Sequence, residues 1–311
     1  MTMQNAMPGL NRLETSHTLM LREYLSKYPR ENCDYTITNL ISWGEIYDNH
    51  FLLYKERLVI FNPQYQYVYF PVGEYLTPLE LKDMVTCFQK YYPEAKMILI
   101  PKEYIDQYPG LLDYFDINED RDWADYIYSI EEMVEMRGKK LAKKKNLISQ
   151  FRRAYPNYKV MKITEDRLPV IMSFTHKWRR DRDAEGAYLM TELQAIENTL
   201  KHWDHLPVQG IIICLNNKIV AYSIFSPQTL DMATVHFEKY DPYKKGSAQV
   251  VTWETARYLS DNYKWVNREQ DIGLPGLRHA KMSYAPDRMA PFFGSMLKAD
   301  STPATEPEKP E

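Results

Sequence analysis

Three cysteines in 311 residues, Cys33, Cys87 and Cys214, form no CxxC pair and are widely scattered. That spacing excludes a disulfide framework and a structural zinc site, and it fits a reducing compartment. Glycine is scarce, at 11 residues. No G-x-G-x-x-G, complete P-loop or G-x-S-x-G elbow is present, which removes the usual signatures of dinucleotide binding, phosphate cradling and α/β-hydrolase chemistry. No apolar run approaches the ~18 residues needed to cross a bilayer. The opening MTMQNAMPGL has neither the basic nor the apolar region of a signal peptide. A large excess of charge of one sign is also missing, with 39 Lys and Arg against 42 Asp and Glu. The net charge of −3 argues against a dedicated nucleic-acid binder and against DNA as a partner, while allowing a local basic patch. These absences lead us to expect a cytoplasmic chain without a transmembrane segment, leaving room for peripheral contact with the inner face of the membrane.

Hydrophobic residues make up 44% of the chain, enough for a sizeable core, and 25 tyrosines dominate the aromatic content. Tyrosine suits half-buried positions, where its ring packs and its hydroxyl stays wet. The order of elements repeats. FLLYKE, RLVIFNP and YVYFPVG read as three strands, followed by a helix from Thr77-Pro78, the strand KMILIP and a short helix. GIIICLNN and KIVAYSIFSP read as a hairpin turning at Asn216-Asn217. ATVHFEKYD, the helix SAQVVTWETARYLSDN, the strand KWVNREQD and the helix PGLRHAKMSY complete the second set. Both halves run β-β-β-α-β-α with little letter-by-letter identity. Amphipathic helices precede each set, an order that matches acyl-CoA N-acyltransferase domains of the GNAT type. The expected fold is α/β with mixed sheets, in two tandem GNAT-like domains. Residues 1–135 form the first domain, 136–155 a basic connecting helix, 156–298 the second domain carrying the site, and 299–311 a disordered tail.

The connecting segment, 137–153, holds eight Lys or Arg in seventeen residues and no acid. On a helical wheel Leu141, Leu147, Ile148 and Phe151 form an apolar stripe. Arg137, Lys140 and Lys144 fall within it, so these cations either snorkel to water or line an internal anionic site. The loop YKKGSA joins a strand to a helix. Lys244, Lys245, Gly246, Ser247, Ala248 and Gln249 there make a candidate phosphate site, with Ser247 placed to cap the helix. Alternation along 233–240 puts His236 and Glu238 on one face, which suits acid–base work. An ordinary polar outer face is the plainer reading. The run Asn267, Arg268, Glu269, Gln270, Asp271 stands at the carboxyl end of a strand, where α/β proteins bind ligands. Glu238, Glu269 and Asp271 are candidate bases. Lys281, on the inward stripe of the last helix, is a candidate oxyanion partner, Tyr284 a candidate acid, and Arg278 a carboxylate or phosphate clamp. Arg268, Asn267 and His236 join the substrate-binding set. The histidines show no third ligand at metal spacing, and no metal is expected.

The blocks RGKKLAKKKN…F, HFEKYD…KG and VNREQDIGLPGLRHAKMSYAP resemble those of the phosphatidylglycerol lysyltransferase C-terminal-domain family, in its free-standing branch, over roughly residues 10–295. The resemblance implies a tandem GNAT-like fold related to the Fem aminoacyltransferases. It also implies transfer of an aminoacyl group from charged tRNA to a lipid headgroup. The family tends to carry an acidic residue just after the glycine of the second-domain loop, and here the nearby position is Gln249. The sequence therefore leads to an acyl or aminoacyl transferase with no permanently bound cofactor. Its donor is aminoacyl-tRNA or acyl-CoA, its acceptor a small amine, a hydroxyl or a lipid headgroup. A non-catalytic small-ligand-binding protein of the same fold is the rival.

Overall fold

The computed structural model describes residues 7–181 and 187–298; the segment read as a tail from 299 lies outside them. Fourteen strands among the described residues form two seven-stranded sheets. The first six are β1 (Asn11–Arg12), β2 (His50–Tyr54), β3 (Arg57–Asn62), β4 (Tyr67–Tyr69), β5 (Lys96–Ile98) and β6 (Phe115–Glu119). Then come β7 (Asp125–Ser129), β8 (Lys159–Lys162), β9 (Gln209–Leu215) and β10 (Lys218–Pro227). The last are β11 (Met232–Tyr240), β12 (Trp265–Asn267), β13 (Arg288–Ala290) and β14 (Phe293–Leu297). Seven helices matter for the site: α1 (Ile37–Ser42), α2 (Pro78–Gln89), α3 (Gly138–Ala154), α4 (Leu168–Asp181), α5 (Ala187–Lys201), α6 (Ser247–Leu259) and α7 (Pro275–Met282).

Local chemistry explains where these elements start and turn. Thr77 caps α2, accepting from the Glu80 N–H while Glu80 reaches back to the Thr77 N–H, with Pro78 in the first turn. The β9–β10 hairpin turns through Asn216 and Asn217, both at positive φ, the twist that two-residue hairpins prefer. The β2–β3 hairpin does the same through Lys55 and Glu56, residues with no marked preference for that conformation.

The internal repeat is visible in the sheets. Strands β1 to β4 run antiparallel and β5 joins β4 in parallel; β8 to β11 run antiparallel and β12 joins β11 in parallel. A helix makes each parallel crossover, α2 in one half and α6 in the other. Beyond this the halves exchange strands. One sheet runs β1-β2-β3-β4-β5-β14-β6 and the other β8-β9-β10-β11-β12-β7-β13. Strand β7, from the N-terminal half, pairs with β12 and β13, and β14, from the C-terminal half, pairs with β5 and β6. Two strands thus cross the division between residues 1–135 and 156–298 in opposite directions.

A shared apolar core seals the halves together. Tyr35, Leu40, Ile41, Ile60 and Ile98 of one pack in the same cluster as Ile171, Ile196, Tyr222, Ile224 and Phe237 of the other. At its edge Thr199 on α5 donates to the Ser42 hydroxyl at 2.7 Å. A second core lies under α3 and α6, and a third under α2.

The glycine of the β11–α6 loop is fixed by packing. Gly246 has φ +87°, and a Cβ there would lie 2.6 Å from the Leu147 carbonyl oxygen of α3. Gly246→Ala should therefore cost about 1–3 kcal/mol from backbone strain, with further loss from the clash. Urea unfolding at constant m-value measures it, and a neutral substitution would show that α3 does not press on this loop.

Candidate functional site

A cavity of about 570 Å³ opens between the strands of the N-terminal half and the turn that follows β12. Glu269 and Gln270 form one side of its floor, and Asp34 and Asn39 the other. The floor is thus built from both halves of the chain. Strand β12 ends at Asn267, and the chain then turns with Glu269 at φ +59° and Ile272 at φ +47°. A non-glycine residue in the left-handed region costs energy and persists only where its surroundings fix it. Here they do: Glu269 N–H donates to Asn267 Oδ1 at 2.7 Å, and Lys281 Nζ donates to the Arg268 and Gln270 carbonyls, each at 2.5 Å.

Glu269 Oε1 accepts from Asn39 Nδ2 at 2.9 Å and lies 2.9 Å from His236 Nδ1. Nε2 of the same imidazole lies 2.8 Å from the Ser226 hydroxyl. The two ring nitrogens of His236 thus lie between the Ser226 hydroxyl and the Glu269 carboxylate. Ser226 and His236 are buried at 1% and 6% exposure, so this Ser–His–Glu line orients Glu269 and presents no nucleophile to solvent. Oε2 of Glu269 accepts from no described side chain or N–H, and the residue lines the cavity.

The other two candidate bases lie in closed clusters. Asp271 is fully buried and takes a forked pair of hydrogen bonds from Arg278, at 2.7 and 2.8 Å, with Tyr126 and the Gly273 N–H adding to it. Burial pushes its pKa up, but Arg278, Tyr126 and Gly273 outweigh that and hold it at about 2. A carboxylate so held is a poor base. Arg278, read as a ligand clamp, spends its fork on Asp271 and Asp122. Glu238 pairs with Arg268 at 2.9 Å and accepts from Thr252 at 2.6 Å, and its Oε2 is buried without a partner.

The expected alternation along β11 fails at one residue. Ile224 pairs with Phe237 and Phe225 with Val235, so His236 is an extra residue in a β-bulge. His236 therefore reaches Glu269 while Glu238 reaches Arg268 and α6. The face they were expected to share does not exist. Glu269 and Asp271, expected on one face of a longer strand, are likewise parted by the turn after Asn267.

Around Glu238 the structure gathers several predicted residues. Arg268 lies over the Tyr284 ring at 5.1 Å, and Lys144 of α3 lies over the same ring at 4.3 Å. Burial, and then Arg268, lower the Lys144 pKa; burial raises that of Tyr284 to about 12. Of the three cations placed on the inner stripe of α3, Lys144 alone turns inward. Arg137 is the exposed N-cap, paired with Glu135, and Lys140 is exposed. Lys281 sits beneath the 268–270 turn, its pKa lowered to about 8 by burial, and its two carbonyl bonds make it a brace for that turn. Asn267 is buried and donates to Asp125 Oδ2 at 2.9 Å and to the Glu31 carbonyl.

In the β11–α6 loop Gly246 is itself the helix N-cap, and Ser247, expected to cap, donates instead to the Asp241 carbonyl at 2.8 Å. Lys245 is exposed, Lys244 lies over the Tyr155 ring at 5.9 Å, and Ala248 and Gln249 are half-buried in the first turn of α6. No group of His, Cys, Asp and Glu able to hold a metal occurs among the described residues. No helix among them is long and apolar enough to cross a membrane.

Sequence reasoning missed Asp34, Asn39, Asp125 and Ser226. The first three lie in segments to which the sequence analysis assigns no element, and only the fold brings them to Glu269. Asp125 is fully buried and accepts from the Cys33 N–H at 2.6 Å. Asp34 shares Gln270 Nε2 with the Cys33 sulfur, each at 3.0 Å.

Two mixed sheets with the same strand order, each with one parallel crossover, define a pair of tandem GNAT-like units. The chain belongs to the family described as phosphatidylglycerol lysyltransferase, C-terminal, whose model matches residues 25–294. No curated protein matches it. Among solved structures it is similar to a conserved protein of unknown function from Bacteroides thetaiotaomicron, at 28% identity and TM-score 0.86, covering 94% of this chain and 100% of that one. It is also similar in fold to L-PGS from Bacillus licheniformis, at 15% identity and TM-score 0.63, covering 89% and 90% of the two chains. FemX shares the fold at 8% identity and TM-score 0.57, covering 89% and 95%.

Burial, together with Glu269 nearby, pushes the Asp34 carboxyl up to about 7, against the hydrogen bonds from its own N–H and from Gln270. Asp125 is raised in the same way, and Lys281 offsets part of the charge on Glu269 and Asp125. A carboxyl whose folded pKa lies above its unfolded value contributes stability below about pH 4 and loses it as pH rises through the folded pKa. Asp34→Asn removes that loss, since Asn can still accept from Gln270. The variant should gain in Tm relative to the parent between about pH 5 and pH 8. An equal Tm difference at both pH values would contradict the placement of an uncompensated carboxyl there.

Proposed function

We propose that this protein is an aminoacyl transferase in which Glu269 is the general base. The observation that carries the reading is the position of Glu269. It is the candidate carboxylate that lines the cavity, with Oε1 fixed by Asn39 and His236 and Oε2 open. An acceptor amine or hydroxyl in the cavity would give its proton to Oε2 and attack the ester carbonyl of the donor. The tetrahedral intermediate would then collapse with cleavage of the ester C–O bond, and the proton held on Glu269 would pass to the departing ribose oxygen, which leaves as the hydroxyl of the donor tRNA. Such chemistry needs mainly positioning and a base. Family membership supports aminoacyl-tRNA as donor and a lipid headgroup or other small acceptor.

The exposed cations of α3 support the same donor. Lys139, Lys140, Lys143, Lys145, Arg152 and Arg153 are exposed along one helix, a surface suited to a phosphate backbone. Acyl-CoA is the weaker alternative. In the loop where a pyrophosphate would approach, the open side of Gly246 is filled by the Leu147 carbonyl of α3.

Two measurements test this. With a pool of radiolabelled aminoacyl-tRNA and an extract of polar lipids and small amines, the parent protein should form a labelled product. Glu269→Gln should lower the rate by about 10²–10⁴-fold while leaving the Tm near that of the parent. Full activity in Glu269→Gln would overturn the assignment of the base. Binding of tRNA should weaken steeply with added salt, and reversing the charge of Lys139, Lys143 and Arg152 together should flatten that slope. A flat salt response in the parent would remove tRNA as donor.

A further inference from the structure

The cavity that holds Glu269 contains an enclosed acceptor with no partner. Asn39 is nine-tenths buried, and its Nδ2 donates to the Cys33 carbonyl and to Glu269, while its Oδ1 is enclosed without a donor. Glu269 Oε2 has no protein donor but is not enclosed, and Gln270 has already spent Nε2 on Cys33 and Asp34. Lys281 does not meet this need, since its ammonium points to the Arg268 and Gln270 carbonyls. Beside Glu269 the floor therefore presents an enclosed acceptor without a partner, Asn39 Oδ1. A buried acceptor left unpaired is costly, so what completes such a site brings N–H groups with it.

Charge and ring faces point the same way. The carboxylates of Asp120 and Glu269, with the Asp34 carboxyl whose pKa burial raises to about 7, line the cavity against a single cation, Lys96, among the described residues. Lys96 itself lies 5.1 Å over the Tyr67 ring, so the wall already receives one ammonium. Trp43, Tyr47, Tyr65 and Tyr69 continue that wall, with Trp43 and Tyr47 stacked at 6.1 Å. Aromatic faces joined to carboxylates are the recognition chemistry of an organic ammonium.

We infer that this cavity is a binding site for an organic ammonium group, and that it disfavours an anionic headgroup such as that of phosphatidylglycerol. The ammonium can belong to an amine acceptor or to the α-amino group of an aminoacyl donor. The inference shares its cavity with the transferase reading, but it is tested by binding alone, without tRNA or turnover.

The experiment is titration of the full chain by calorimetry, with tryptophan fluorescence reporting from Trp43. The probes are n-butylamine, choline, glycinamide, the neutral isostere 1-butanol and the anionic headgroup mimic sn-glycerol 3-phosphate. Saturable binding is expected for ammonium probes, at least about tenfold tighter than for 1-butanol or glycerol phosphate. Glu269→Gln and Tyr69→Leu, each confirmed to fold by circular dichroism, should weaken the ammonium probes by about tenfold and leave 1-butanol unchanged. Butylamine or choline binding as well as glycinamide assigns the site to a simple amine, and glycinamide alone assigns it to the aminoacyl group. Equal binding of 1-butanol and butylamine, tighter binding of glycerol phosphate, or no binding by any ammonium probe would overturn the inference. Ammonium binding with no transfer activity would keep it and remove the transferase reading instead.

Discussion

Strand β7 runs inside the sheet of the C-terminal half, and β14 runs inside the sheet of the N-terminal half. Each ladder carries obligatory backbone hydrogen bonds, so neither half can close its sheet without a strand from the other. The exchange sets the position of everything in the site. Asp125 begins β7 and is held in the sheet by pairing with Ala290. From there its carboxylate takes the Cys33 N–H on one side and the Asn267 amide on the other. One buried side chain thus joins the segment that carries Asp34 and Asn39 to the turn that carries Glu269. A buried carboxylate without a cation partner is expensive, and its raised pKa reflects that cost. The exchanged strand and the shared core offset it.

Three carboxylates within a short span of the fold have separate roles because their surroundings differ. Asp271, saturated by Arg278, Tyr126 and Gly273, anchors the turn to α7. Glu238 neutralises Arg268 beneath α3 and α6. Glu269 keeps one oxygen fixed and one open at the cavity. Residue type does not separate the three; the partners do. Lys281 shows the same rule. It is buried, as its place on the inner stripe of α7 suggests, but its ammonium serves two backbone carbonyls rather than an oxyanion.

The β-β-β-α-β-α order of each half was legible because its signals are local. The Asn216-Asn217 turn, the Thr77-Pro78 cap and the period-two runs need only near neighbours. The polar run 267–271 was legible as a cluster at a strand end, and two of its members, Glu269 and Gln270, line the cavity. Other features depend on contacts distant in sequence. The bulge at His236 follows from pairing with β10, which alternation along one strand does not encode. The early end of β12 comes from hydrogen bonds made by Lys281 and Asn267. The cavity wall was hidden among ordinary strand tyrosines: Tyr67 and Tyr69 read as half-buried sheet residues, and only the fold turns them toward Glu269. Asp34 and Asn39 come from a 3₁₀ turn and a short helix, more than two hundred residues from the turn they meet. The strand exchange left no mark in composition or periodicity.

The account rests on the two halves being one folding unit, tied by β7 and β14. Equilibrium urea unfolding of the full chain tests this directly. Near-ultraviolet signals from a variant retaining only Trp43 and Trp123 report on the N-terminal side, and those from a variant retaining only Trp178 and Trp253 report on the C-terminal side. Exchanged strands and a common core predict coincident transitions with the same midpoint and m-value in both variants. Two separated transitions, one for each half, would contradict the account, because neither sheet could then depend on the strand it borrows.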